Sequence, residues 1–260
     1  MKVRNKVAVY TAIFGNYDTL KDPLYPEVKE EADFYCFTDN EDLISSTFNI
    51  IISHPPHNNP RKNARFYKTY GDAILQNYEY VIWCDGAVQI IAKSLKEILA
   101  MLDGHDFGIF KHPDRICAYE ESKICMERHL DSPKIIYHQI ANYCKRGFPR
   151  NYGLLESSAY VKRVNEKTTE FSKRWWKEID TMSIRDQLSF DYLRWSLQPK
   201  VVYFEGTFKT STFFRSRGHS GKKKGVIRKN IIQKILSRFL KIYKNFKIRI
   251  YQKRIDQLAC

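Results

Sequence analysis

Apolar, β-branched runs alternate with stretches of helical periodicity along the first half of the chain. KVAVYTAIF (6–14), DFYCFTD (33–39), FNIIIS (48–53), YVIWCD (80–85) and FGIFKH (107–112) are predicted strands. They are apolar throughout rather than strictly alternating, as in strands covered on both faces. RKNARFYKTYGDAILQ (61–76), which follows Pro60, and SLKEILAML (94–102), which Ser94 can cap, are predicted helices. Beyond residue 113 helical patterns dominate at 118–130, 133–146, 165–179 and 183–196, with strands predicted near 157–162 and at 200–204. This alternation predicts an α/β fold with a mostly parallel sheet flanked by helices. No internal repeat interrupts it, and the first linker-like stretch is RSRGHSGKKKG (215–225).

Composition adds a division within the chain. With 43% hydrophobic and 14% aromatic residues among 260, the chain is that of a folded protein. Its net charge of +15 is concentrated at one end: residues 222–260 hold thirteen Lys or Arg against Asp256 alone, a net +12, leaving about +3 for residues 1–221. Two regions are therefore expected, a catalytic-sized α/β domain at 1–221 and a basic helical tail at 222–260. MKVRNKVAVYTAIFG lacks the pattern of a signal peptide, and no run approaches the roughly 18 apolar residues of a membrane span. The six cysteines show no CxxC pair or zinc-like spacing, so free thiols in a reducing, cytoplasmic setting are expected.

Chemistry gathers around YVIWCDG. Asp85 closes a predicted strand and is followed by Gly86. In open α/β sheets, ligands collect beyond the carboxyl ends of strands, and an acid there reaches a ligand or metal from a rigid support. Asp-Gly is also a common turn pair, and residue types alone leave both readings open. Arg61, Arg65 and Lys68 fall on one face of the helix leading into this strand, where they can meet a diphosphate or simply face solvent. HSGKKK (219–224) sets an imidazole beside several ammonium groups. In SIRDQLSFDY (183–192), Asp186 and Gln187 occupy a helical first turn, where an acid is favoured for its own sake. Together these are parts suited to binding a metal–diphosphate, because Mg²⁺ and Mn²⁺ prefer carboxylate oxygens and leave positions for phosphate.

YTAIFGNYD, FTDN, RFYKTY, VIWCDG, HPDRICAYEE, GLLESSAYVKR and RDQLSFDYLRW, in this order, resemble the TOD/MUCI-type glycosyltransferase-like domain family over about residues 5–215. That family is similar to nucleotide-sugar glycosyltransferases of GT-A type. The resemblance implies a GT-A-like sheet and transfer of a sugar from a nucleotide-diphosphate donor to a glycan or lipid-linked glycan, in surface polysaccharide or lipopolysaccharide synthesis. It implies Asp85 as a metal ligand in the place of a DxD motif, with His219 as a second ligand, for Mn²⁺ or Mg²⁺. A full DxD has two acids, whereas Cys84 and Ala87 flank Asp85-Gly86 here, so a weaker metal site is expected.

The same resemblance implies that Tyr10, Thr11 and Asp39 lie near the nucleoside, and that Arg65, Lys68 and Lys222 meet the diphosphate or sugar. Asp186, with Gln187, stands near the reaction centre as base, nucleophile or sugar anchor. His112, Arg115 and Glu156 are the candidates for the acceptor or sugar. Outside this set, His54 and His57 are separated by two prolines with no accompanying acid, and Trp175 and Trp176 fit a core face as well as a sugar platform.

In the tail, Ile235, Leu236, Phe239, Tyr243, Phe246 and Ile250 fall within about a third of a helical wheel, with Lys234, Arg238, Lys241 and Arg249 opposite. This predicts a basic amphipathic helix lying on an anionic membrane, on its cytoplasmic face, or packing on the domain or a partner. Nucleic acid is not expected as a partner, since the aromatic residues face away from most of the charge. Oligomeric state is not fixed by the sequence. Two other functions compete: an amide hydrolase of ceramidase kind, for which no G-x-S-x-G elbow is present, and a degenerate sugar- or membrane-binding module.

Overall fold

A computed structural model describes residues 6–218 and 231–260, the side chains of 231–241 excepted; the expected metal ligand His219 and phosphate contact Lys222 lie outside the described residues. The strands are β1 (Val7–Ile13), β2 (Asp33–Thr38), β3 (Asn49–Ile52), β4 (Tyr80–Cys84), β5 (Val88–Ile90), β6 (Phe107–Lys111), β7 (Leu155–Arg163), β8 (Val201–Phe204) and β9 (Phe214–Ser216). The helices are α1 (Pro60–Thr69), α2 (Leu95–Ala100), α3 (Ala118–Glu127), α4 (Pro133–Lys145), α5 (Glu166–Thr181), α6 (Asp186–Leu197) and α7 (Ile231–Asp256). Seven strands form one sheet in the order β3-β2-β1-β4-β7-β6-β8, and β5 pairs with β9 in a separate ribbon. Within the large sheet β7 runs antiparallel to both neighbours, while the other pairings are parallel. The α/β, mostly parallel arrangement expected from the sequence is thus the one observed.

The unbroken apolar runs are explained by burial on both sides. One face of the sheet presents Tyr10, Trp83 and Tyr160 to a core shared with α3–α6, including Trp175 and Phe190. The other presents Val9, Ile82 and Val161 to a second core that takes in Ile98 of α2. The ribbon β5/β9 was not visible as a pattern, because each strand contributes only three residues.

Two local departures shape the site. The helix predicted over 61–76 ends at Thr69, because Gly71 adopts φ +82° and the amides of Tyr70 and Gly71 turn back to the Phe66 carbonyl. A short 3₁₀ turn capped by the Asp72 side chain follows. In the antiparallel pair β6/β7 the register slips: Ile109 pairs with Tyr160, whereas Phe110 pairs with Glu156. Residues 157–159 therefore bulge out of the ladder with β6, and bulges of this kind re-aim side chains at sheet ends.

The C-terminal helix is not a free tail. Ile248 and Ile255 are buried against α3 and α4, and Tyr251 packs on Tyr137. Lys123 pairs with Asp256 at 2.8 Å, and Cys144 forms a disulfide with Cys260. Only Cys36, Cys84, Cys117 and Cys125 are free, all buried. This corrects the expectation of six free thiols and removes the ground on which a reducing compartment was inferred. Of the apolar stripe foreseen in the sequence, Tyr243 and Phe246 are exposed, while the helix packs on the domain through Ile248, Tyr251 and Ile255. Among the described residues, no helix is long and apolar enough to cross a membrane.

Candidate functional site

A cleft of about 460 Å³ opens beyond the carboxyl ends of β1 and β4, bounded by α1, the β7 bulge, the start of α6 and the segment between β6 and α3. Its position follows the general rule for open α/β sheets. Asp85 sits one residue past β4, its amide bonded to the Ser158 carbonyl at 2.7 Å and its own carbonyl accepting from Val88 at 2.7 Å. Asp85-Gly86 is therefore both a turn and a cleft residue, so the two readings of that pair were not exclusive. Gly86 does not need an unusual backbone. A Cβ there would lie 3.0 Å from Asp18 Cβ and Ile13 Cγ1, so the missing side chain allows the β1 loop to close against the turn.

A buried ion cluster forms the floor. Asn59 accepts from the Arg61 amide at 3.0 Å and starts α1 so that Arg61, Arg65 and Lys68 all face the cleft. Lys68, only 1% exposed, places Nζ 2.6 Å from Asp186 Oδ2 and 3.1 Å from Asp85 Oδ1. Arg65 lies 3.2 Å from Asp186 Oδ1 and 3.6 Å from Asp85 Oδ1. Ser157 on the bulge donates to Asp186 Oδ2 at 2.7 Å, and Trp83, two residues before Asp85 and thus on the same strand face, donates to Asp85 Oδ1 at 2.9 Å. Burial opposes the charge on Asp186, but Arg65, Lys68 and Arg185 hold its carboxyl well below the usual carboxylate range. Trp175, confirmed as core, fixes the start of α6 by donating to the Asp186 carbonyl at 3.1 Å.

Glu156 differs from these acids. Its Oε1 accepts from the Ser158 amide at 3.1 Å and its Oε2 from Gln187 Nε2 at 3.1 Å, but it makes no salt bridge among the described residues. Burial lifts its pKa above the ordinary value, with Lys68 acting in the opposite sense. On the opposite wall Arg115 is paired with Glu121, and His112 lies 2.9 Å from Arg115 Nη2. Burial and the Arg115 charge lower the His112 pKa, which favours the neutral ring.

Of the residues foreseen as functional, the structure brings Asp85, Arg65, Lys68, Asp186, Gln187, Glu156, His112 and Arg115 to the one cleft. Three others lie elsewhere. Tyr10 is a core residue whose hydroxyl meets Tyr160 Oη at 2.8 Å and the Lys68 carbonyl at 3.3 Å, because its strand position points beneath α1. Thr11, one residue on, faces the other side of the sheet and is buried. Asp39 accepts from the Gly15 amide through both oxygens, at 2.9 and 3.1 Å, and so secures the β1 loop. Among the arginines of the cleft, Arg185 and Arg128 were not foreseen as candidates. Arg185 adjoins Asp186 in RDQ, and that adjacency was the available signal. Arg128 follows the end of α3 and had none.

The residues fit a divalent ion poorly. Among the described residues no three His, Cys, Asp or Glu side chains converge on one point. Oδ1 of Asp85 already faces Lys68, Trp83 and Arg65.

Comparison with known proteins agrees with the geometry. The sequence profile of the family described as "TOD1/MUCI70, glycosyltransferase-like domain" matches residues 1–216. An Arabidopsis thaliana protein named alkaline ceramidase TOD1 is 25% identical over 232 residues, covering 75% of this chain and 49% of that protein. A second protein from the same plant, named probable hexosyltransferase MUCI70, is 20% identical over 240 residues, covering 80% of this chain and 40% of that protein. The chain spans half or less of the length of these curated relatives.

Proposed function

The chain belongs to the TOD1/MUCI70 glycosyltransferase-like domain family, and from that premise we propose that it transfers a sugar from a nucleoside-diphosphate donor to a hydroxyl of a glycan or lipid-linked glycan. The observation that carries this reading is the cleft at the strand ends, where cations from α1 and the start of α6 converge around Asp85 and Asp186. Asp186 is too firmly ion-paired to accept a proton, so it positions Lys68 and Arg65. Glu156, with its raised pKa and no ion pair among the described residues, is the base. In the reaction the acceptor oxygen bonds to the sugar carbon, its proton passes to Glu156, and the bond to the diphosphate oxygen breaks with its electron pair. The neighbouring guanidinium groups stabilise the charge on that oxygen.

Amide hydrolysis is the reading suggested by the name of one relative. A cleft lined by Arg61, Arg65, Lys68, Arg115, Arg128 and Arg185 suits a phosphorylated donor better than a neutral amide. A turnover assay of UDP-, GDP- and CDP-linked sugars tests the choice. One of them is expected to be consumed, and Asp85→Ala is expected to lower that rate by at least about 100-fold while leaving the fold intact. Full activity in that variant would remove Asp85 from the site, and turnover of an N-acyl lipid with no nucleotide-sugar consumed would reject transfer.

Docking on an anionic membrane is proposed on separate grounds. Ile242, Tyr243 and Phe246 are exposed together on α7 beside Lys244, Lys247 and Arg249, an apolar patch with a cationic rim. Co-sedimentation with phosphatidylserine vesicles is expected, and substitution of the three apolar residues by Ser should abolish it.

A further inference from the structure

Charge balance in the cleft indicates how the donor's phosphates are held; this step rests on the transferase reading above. Lys68 and Arg65 are matched by Asp85 and Asp186, two cations against two acids. Beside them stand Arg61 and Arg185, which, like the exposed Arg128, make no salt bridge among the described residues. Arg61 is open to the cleft mouth. Arg185 lies on the far side, with Nη2 3.4 Å from the neutral Gln187 Oε1 and a buried Nε that has no hydrogen-bond partner. The two arginines and Arg65 are near enough to repel one another: burial and then the charges of Arg185 and Arg65 lower the Arg61 pKa. Three guanidinium groups gathered at one cleft offer a place for an anion.

Counting every side chain that lines the cleft, seven Lys or Arg face six Asp or Glu, so an excess of cations remains to meet a diphosphate. Asp85, the natural ligand of a divalent cation, already meets Lys68, Trp83 and Arg65 through Oδ1, and no group of three His, Cys, Asp or Glu that could hold a metal occurs among the described residues. We propose that Arg61, Arg65 and Arg185 form a diphosphate subsite that works without a divalent cation, the guanidinium groups answering the charge that a metal would otherwise neutralise. Arginine suits this role because its planar fork matches phosphate oxygens two at a time and remains charged.

Calorimetric titration of the full chain with UDP, GDP and CDP, in EDTA and again with Mn²⁺, tests the proposal. One nucleoside diphosphate is expected to bind in EDTA with a Kd within about threefold of its value in Mn²⁺. Arg61→Gln should weaken that binding about tenfold or more, the loss of one charge-assisted contact. Arg61 makes no salt bridge among the described residues, so its variant should melt as the parent does. Arg185→Gln should behave alike if its fold is kept. Binding only in the presence of Mn²⁺, or unchanged binding by Arg61→Gln, would overturn the subsite while leaving a nucleotide-dependent transferase standing. Binding in neither buffer would overturn the donor reading and the subsite with it.

Discussion

The cleft and the C-terminal helix use the same residue types to different ends. On the cleft floor Lys68 is 1% exposed and touches two carboxylates, one of which, Asp186, is 3% exposed. Between α3 and α7 the pair Lys123–Asp256 is comparably short at 2.8 Å, but its side chains are 30% and 55% exposed. Water screens the second pair and not the first. A buried charge therefore holds the fold and can act on a ligand, whereas an exposed one contributes little beyond solubility and long-range attraction. The contrast can be tested one variant at a time.

The largest effect is expected from Lys68→Met. Two acids would lose their shared ammonium in a site that water barely reaches, and stability should fall by about 3–5 kcal/mol in urea titration, with turnover lost as well. A change below about 1 kcal/mol would show that the cleft floor behaves like a surface pair, and the comparison would fail.

Glu156→Gln separates chemistry from architecture within the same cleft. The rate constant should drop by about 10²–10⁴-fold, the usual contribution of a general base. The pH dependence has a definite sign. Because burial raises the Glu156 pKa, the parent enzyme should lose rate as pH falls through a point above the ordinary carboxylate value, and the variant should lack that limb. Stability should move the other way from Lys68→Met. A carboxyl whose pKa is raised by folding opposes the native state once ionised, so above that pKa its neutral replacement should be as stable as the parent or slightly more so. A variant that kept its rate would return the base role to Asp186.

The sequence disclosed the cleft unevenly, and the reason is physical. Strand ends and helix faces are local, so Asp85, Arg65, Lys68 and Asp186 could be placed from periodicity and from family resemblance. The side of the sheet on which a strand residue emerges depends on tertiary register. Tyr10 and Thr11 were thus read as ligand contacts although one enters the core beneath α1 and the other the opposite face. The β7 bulge that brings Glu156 and Ser157 to Asp85 depends on pairing with β6, about 45 residues earlier, and no local pattern announces it. The Cys144–Cys260 pairing is similarly distant, with a separation of 116 residues.

That disulfide gives the next smaller effect. Cys260→Ser should reduce stability by about 2–4 kcal/mol, with the helix end released, because cross-links across long loops act largely on the unfolded chain. Nucleotide binding in the cleft should be unchanged, since Arg61, Arg65 and Arg185 belong to α1 and the start of α6. A matching loss of nucleotide affinity would mean that α7 supports the cleft wall through α3, and the two regions would have to be treated as one.

The smallest effect should come from Lys123→Ala. Its ammonium bonds Asp256 Oδ1 at 2.8 Å, between the 2.6 and 3.1 Å contacts of Lys68, so distance alone would rank it with Lys68. Exposure ranks it far lower. The pair gains little Coulomb energy in water and must immobilise two flexible side chains, so removal should cost less than about 1 kcal/mol. The residual effect should shrink further in 0.5 M salt, where the Debye length falls to about 4 Å. Ile255, completely buried one residue from Asp256, would still hold the helix in place. A loss in low salt comparable with that of Lys68→Met would mean that proximity rather than burial sets the strength of ion pairs in this protein. The functional distinction drawn between its two cationic regions would then no longer hold.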